Sequence, residues 1–336
     1  MTMTRRSVFV PAMMGAAMAA VPLQATAGDF ADVDEMEIRL AHVVNEEDSF
    51  HIAAERFQEL VEERSDGAVS VSLYPNAELG DERELLESMQ VGTVDMGVIT
   101  NGPVANFVDE FAVFELPFLF PDSESAHEVL DGPIGQEVMD KLADVNLRGL
   151  AYAERGFRNV TNSVGPIESP EDLDGLTLRV MENPVYVDTF NALGADATPM
   201  AWTEALTAMQ QGTIDGQENP VNVIHSFELY ETQDYMTLSR HTYAPAIFVM
   251  GEPTWQQIPD NAREALIEAA HEASAHARQM NAEMEADQLA DLRDVGMEIV
   301  EEPDLEAFRA AVEPVYDDYG EQFGEYLTRI QESVEQ

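Results

Sequence analysis

Residues Leu176–Pro220 read LTLRVMENPVYVDTFNALGADATPMAWTEALTAMQQGTIDGQENP. Leu176–Met181 is a short, largely apolar run with Arg179 in its middle, which predicts a strand that carries an arginine. Asn183-Pro184 supplies an N-cap and a proline at the first helical position, so a helix is expected to about Leu193, with Gly194 as its stop. A second helix is expected over Thr203–Gln211, stopped in the same way at Gly212. Thr213-Ile214 reads as a short extended piece, Asp215-Gly216 as a turn, and Asn219-Pro220 as a further helix start. Helix N-termini present free N–H groups and a partial positive charge. One strand arginine beside two helix starts would make an anion site, most simply for a carboxylate. The competing reading has Arg179 as a surface-strand arginine paired to one of many acids, and Asn219 as a helix cap only.

Upstream of this stretch, strands and helices alternate. Glu37–Val43 predicts a strand and Ser49–Arg64 a helix with Ile52, Ala53, Phe57, Leu60 and Val61 on one face. Val69–Tyr74 alternates as a second strand. Asp81 can cap a helix whose inner face is Leu85, Leu86 and Met89. Val94–Ile99 is a third strand and leads into Thr100-Asn101-Gly102-Pro103. The order β-α-β-α-β implies a mostly parallel sheet with helices on both faces. Phe111–Pro121 (FAVFELPFLFP) is read as core or hinge-side packing in preference to an aromatic ligand platform. Helices are expected at Ser123–Leu130 and Ile134–Ala143, and a strand at Leu147–Ala153. The glycine and broken strand pattern in Glu154–Asn162 suggest a crossing between two lobes. Tyr243–Met250 would return the chain to the first. Asp260–Val295 is helical and longer than an ordinary globular helix, long enough to bridge both lobes. The last segment, Leu305–Val334, is amphipathic helix. The division expected is 1–27 signal segment, 28–154 first lobe, 155–243 second lobe, and 244–336 a return to the first lobe with the long helix and C-terminal helices.

Of 336 residues, 65 are acidic and 17 basic, for a formal charge of -48. A charge that large argues against nucleic acid and anionic membrane surfaces as partners. It reads as an acidic surface suited to high salt, where screening shortens the repulsion. Lys141 is the only lysine. Cysteine is absent, which excludes disulfides, thiolate metal sites and cysteine nucleophiles. Arg5-Arg6, an apolar run and Ala25-Thr26-Ala27 read as a cleavable signal peptide, so an exported, soluble protein starting near Gly28 is expected. His271 and His276 stand five apart, whereas zinc ligation on a helix needs histidines one turn apart on one face. No G-x-S-x-G elbow, P-loop or G-x-G-x-x-G is present.

Together, LRVMENP, ALGADATPMAW and GTIDGQENP resemble the extracytoplasmic solute-binding proteins of TRAP transporters, the four-carbon-dicarboxylate-binding-protein family. A second patch, AELGDERELLESMQVGTVDMGV, carries the same resemblance, which extends over nearly the whole mature chain. It implies an α/β, two-lobe periplasmic binding protein with a long lobe-bridging helix. It further implies a small carboxylate ligand, TRAP membrane permease subunits as partners, and a periplasmic monomer without cofactor, metal or catalysis. The family's carboxylate-binding arginine falls on Arg179, a second ligand-side arginine on Arg158, the ligand-binding asparagine on Asn219, and an aromatic wall position on Trp202. Arg155 competes with Arg158 and is read as a salt-bridge residue. Asn101 and His42, at the ends of first-lobe strands, either reach polar groups of the ligand or stabilise their loops. The first lobe offers few cations for a second carboxylate: Arg39 on a strand, Arg56 and Arg83 on helices. A sugar acid, a uronate or aldonate, is therefore the expected ligand, followed by a short dicarboxylate and then an amino or keto acid. The alternative of a different class is a periplasmic enzyme acting on an organic acid.

Overall fold

A computed structural model describes Phe30 and residues 33–334. The expected signal segment, 1–27, lies outside the described residues. The strands among them are β1 Met36–Ala41, β2 Val69–Tyr74, β3 Met96–Thr100, β4 Leu147–Asn162, β5 Thr177–Val180, β6 Asp196–Pro199, β7 Gly216–Asn219, β8 Tyr235–Gly251 and β9 Glu298–Val300. They form one mixed sheet in the order β2-β1-β3-β8-β4-β7-β5-β6, with β9 also paired to β8. β1 runs parallel to β2 and β3 in one lobe. β5 runs parallel to β6 and β7 in the other. Between them β8 and β4 pair antiparallel over almost their whole length. Each lobe is thus parallel on its outer side, as expected, and the two are welded through an antiparallel pair.

β4 and β8 span 16 and 17 residues, about three times an ordinary strand. The sequence reading broke β4 at Glu154 because Gly156 interrupts its alternation. The strand in fact continues, and the interruption is a bulge: pairing with β8 shifts between Glu154 and Gly156 and again between Arg158 and Val160. Gly156 takes φ +107, open to glycine at little cost. Opposite Glu154 stands Pro245, which has no N–H to give the ladder. The bulge bends the ribbon where it passes from one lobe into the other.

Local signals set the elements around the arginine strand. Asn183 caps helix Pro184–Ala192, its side chain accepting from the Val185 N–H at 2.8 Å. Gly194 and Gly212 follow their helices at φ +96 and +63, the left-handed stop that glycine permits. The extended piece placed at Thr213-Ile214 is instead Gly216–Asn219. Thr213 still bonds back to Ala208 O and finishes helix Trp202–Gln210. Asp215 then pins the register of β7, its carboxylate accepting from Thr177 N at 2.8 Å.

The long helix, Asp260–Asp294, has 35 residues and is about 50 Å long. It packs on helix Ser49–Arg64 in the first lobe and on helix Val221–Ser226 in the second, so it does bridge both. Its inner face is mostly alanine, which lets it lie close to the sheet. Phe111 and Phe114 are fully buried and meet the ring of Tyr152, the packing role expected of the aromatic run. No described helix is long and apolar enough to cross a membrane.

Candidate ligand-binding site

Arg179 sits on β5, where it is paired in register with Thr198 and Gln217. Its Nε and Nη2 donate to Met200 O at 3.0 and 2.7 Å, which fixes the plane of the fork. Trp202 lies 5.6 Å from the guanidinium carbon and adds a cation–π contact. The side chain is 4 % exposed, yet no carboxylate among the described residues forms an ion pair with it. Burial pulls its pKa down to about 10, with Arg158 and Arg155 adding repulsion and Glu218 partly offsetting it. At neutral pH it keeps its proton. A buried, charged and unpaired guanidinium is an unfavourable arrangement for a purely structural residue. Arg179 opens on a narrow cleft between the lobes, with Met200 and Trp202 on its own side and Val43, Glu82 and Pro103 on the other.

The other two central arginines are paired. Arg158 donates to both carboxylate oxygens of Glu218, with Nη2–Oε1 at 2.8 Å, and to Glu218 O at 2.6 Å. Burial opposes its charge, but the Glu218 carboxylate outweighs burial and raises the pKa. Only Nη1 is left buried without a partner. Arg155 donates to Asp48 at 3.1 and 3.2 Å, the salt bridge expected of it. Residues that the sequence reading missed complete the core behind the cleft. Glu218 also contacts His241 Nε2 at 3.2 Å, and Tyr186 packs 5.6 Å from the Arg158 guanidinium. Tyr186 donates to Glu115 Oε2 at 2.5 Å across the lobe boundary. Burial pushes the Glu115 carboxyl up to about 7, although the bonds from Tyr186 and Asn101 act against it. Glu218 stands one residue before Asn219 in the GQENP run. Its pairing with a strand arginine 60 residues earlier carries no local signal.

Asn219 is buried on β7 opposite Asn159, and its Nδ2 donates to Gln217 Oε1 at 2.6 Å. It does not cap the following helix, whose N-cap is Pro220 and lacks a side-chain bond, so the capping role considered for it is withdrawn. Trp202 lines the cleft with Arg179, but its Nε1 is buried and unpartnered. Asn101 turns its Nδ2 inward, donating to Phe111 O at 2.9 Å and Glu115 Oε1 at 2.6 Å, and leaves Oδ1 unpartnered. His42 Nε2 lies 3.0 Å from His51 Nδ1, and burial holds His42 neutral with a pKa of about 3. Its Nδ1 has no partner. Of the six candidates, Arg179 and Trp202 face the cleft, and the other four lie buried outside its lining. Arg158 and Arg155 still act electrostatically on Arg179.

The lobes are held together by side chains that cross between them. Asn106 donates to Glu182 O at 2.6 Å and Asn183 to Gly102 O at 3.0 Å on one flank. Asn45 donates to Ser226 O at 2.7 Å and Asn222 to Ser49 Oγ at 2.9 Å on another. Among the described residues no group of three or more His, Asp or Glu could hold a metal ion. His271 and His276 are both exposed on the long helix.

Comparison with known proteins adds the family. The sequence model described as bacterial extracellular solute-binding protein, family 7, matches residues 40–322. A solute-binding protein of Verminephrobacter eiseniae is 41% identical over 273 residues, 81% of this chain and 82% of its own. The TRAP periplasmic solute-binding protein of a Polaromonas species, solved with D-erythronate, superposes with a TM-score of 0.87 at 37% identity, covering 88% of this chain and 98% of that one. The sugar acid binding protein of Advenella mimigardefordensis, solved with galactonate, gives 0.88 at 34% identity, with 90% and 99% covered. These are binding proteins and not enzymes. The chain belongs to family 7 of the bacterial extracellular solute-binding proteins, the TRAP-transporter binding proteins that take organic acids.

Proposed function

We propose that this protein captures a sugar acid, an aldonate or uronate, between its lobes and delivers it to TRAP membrane subunits. Arg179 holds the carboxylate. Its fork, fixed on Met200 O, leaves Nη1 free of hydrogen bonds to described residues, and Nη2 can be shared. The Trp202 ring walls the acid, while Arg158 and Asn219, buried behind the cleft lining, support its orientation from the second lobe. Asn101 and His42 stand behind the first-lobe wall in the same way. The observation that carries this reading is a charged, buried guanidinium that forms no ion pair with an acid among the described residues. The unpartnered polar atoms on Arg158, Trp202, Asn101 and His42 suit a ligand rich in hydroxyls. The relatives solved with erythronate and galactonate support the ligand class. Export to the periplasm would remove about the first 27 residues, which mass spectrometry of the secreted protein reads directly.

The test is calorimetry and thermal shift with D-erythronate, galactonate and galacturonate. Binding raises the melting temperature by mass action. Arg179→Met is expected to weaken binding by roughly a hundredfold or more, the loss of a charge-assisted bidentate pair. The ligand-free variant should melt no lower than the parent, because a buried unpaired charge has gone. An undiminished ligand shift in Arg179→Met would refute the clamp. Uptake into vesicles bearing the TRAP membrane subunits, with and without this protein, tests delivery.

A further inference from the structure

We infer that Glu82 sets the charge class of the ligand, admitting acids with one carboxylate and rejecting those with two. The inference rests on Arg179 as the carboxylate clamp and extends it to the opposite wall. Glu82 is the first residue of helix Glu82–Gln90 in the first lobe and lines the cleft that Arg179 lines from the second. Its Oε1 accepts from the backbone N–H of Thr100 at 2.7 Å, which anchors the carboxylate to the end of β3. Its Oε2 has no hydrogen bond among the described residues and is left for a ligand. Its charge reaches Arg179, where it favours the protonated guanidinium.

The charge inventory of the cleft gives a single vacancy. Behind it, Arg155 pairs with Asp48 and Arg158 with Glu218. At the rim, Arg83 pairs with Glu87 at 3.2 Å, both more than half exposed. Asp81 accepts from Glu84 N–H as a helix cap, and Glu182 adds a further carboxylate. Among the described residues Arg179 is the one unpaired cation lining the cleft. One ligand carboxylate neutralises it. A second, at the far end of an extended acid, would face the partly buried Glu82 and Glu182, with no unpaired cation among the described residues of the lining. A hydroxyl at the same place would donate to Glu82 Oε2 in a charge-assisted bond. One carboxylate thus both rewards a hydroxyl and repels a carboxylate.

Two matched pairs of acids test this: D-erythronate against meso-tartrate, and galactonate against galactarate. Within each pair one terminal CH₂OH is replaced by a carboxylate. Calorimetry on the parent is expected to favour the monoacid by roughly tenfold or more in Kd, as a like-charge contact requires. Glu82→Gln keeps an oxygen for the Thr100 N–H and turns the free oxygen into an amide donor. It should shrink that ratio about tenfold, improving the diacids and weakening the monoacids. The parent's preference should also narrow as salt is raised. A parent that binds both members of a pair alike, or a ratio unmoved in Glu82→Gln, overturns the role of Glu82 and leaves the Arg179 clamp standing. A parent that binds none of the four acids overturns both.

Discussion

A buried ionisable side chain in this protein is defined by what the fold places beside it. Arg179, Arg158 and Arg155 are all nearly inaccessible, yet two are neutralised by carboxylates and one is not. The sequence supplies all three and ranks Arg179 first. It gives no sign that Glu218 occupies most of Arg158, because that pair joins β4 to β7 across 60 residues. Glu115 offers a test at this scale. Its carboxyl is pushed from an ordinary 4.5 up to about 7 by burial. The unfolded chain therefore releases this proton at lower pH than the folded one. Its contribution to stability is full below pH 4.5 and is lost as pH rises through 7. Glu115→Gln should remove that loss. Relative to the parent, the variant is expected to gain on the order of 3 kcal/mol between pH 4.5 and 7.5. Urea melts of both proteins at the two pH values measure it. A constant difference between them would show that Glu115 does not titrate in this range. His42, held down to about 3, acts in the opposite sense below 6.5 in both proteins and cancels from the comparison.

Among the elements, β4 and β8 depart furthest from the sequence reading. A glycine inside an alternating run reads as a break, and here it is a bulge within a continuous strand. The distinction depends on β8, which supplies a 17-residue partner and holds the ladder on both sides of the irregularity. Gly156 is the position to change. A Cβ there would stand 3.4 Å from Asn281 Nδ2 and 3.6 Å from Pro220 Cβ, so space is adequate. The cost is backbone strain at φ +107, about 1–3 kcal/mol. Gly156→Ala should lower the ligand-free melting temperature by several degrees. An unaltered melting temperature would mean the bulge relaxes to a conformation that any residue accepts. The capped and glycine-stopped helices around Arg179 were legible because their signals lie within a few residues of the ends they define.

For the whole molecule, the question is how two acidic lobes stay together around a small ligand. Arg155–Asp48 is an ion pair across the boundary, but the four asparagine contacts are neutral. Asn106 is exposed, lies outside the cleft lining, and donates to Glu182 O across the mouth. Its bond to Glu182 O joins the two walls of the cleft, and a longer one to Pro103 O at 3.3 Å stays within the first lobe, so its loss should act chiefly on closing. Asn106→Ala is expected to weaken the apparent affinity about fivefold, from a net hydrogen bond near 1 kcal/mol, with the change in koff. Stopped-flow release of galactonate measures it. An unchanged koff would remove Asn106 from the closure mechanism.

The sequence by itself determined the alternation of strands and helices, the caps and stops, the bridging helix, the family, and the arginine to examine first. These are carried by periodicity and by side chains acting within a turn or two of their own position, and by motifs that survive as contiguous runs. The tertiary structure alone decided that the two parallel halves share one antiparallel ribbon and that Arg158 is paired while Arg179 is not. It also placed Glu82 on the opposite wall of the cleft from Arg179. A buried charge is compensated by whichever carboxylate the fold brings within reach, and that distance in space is independent of separation along the chain.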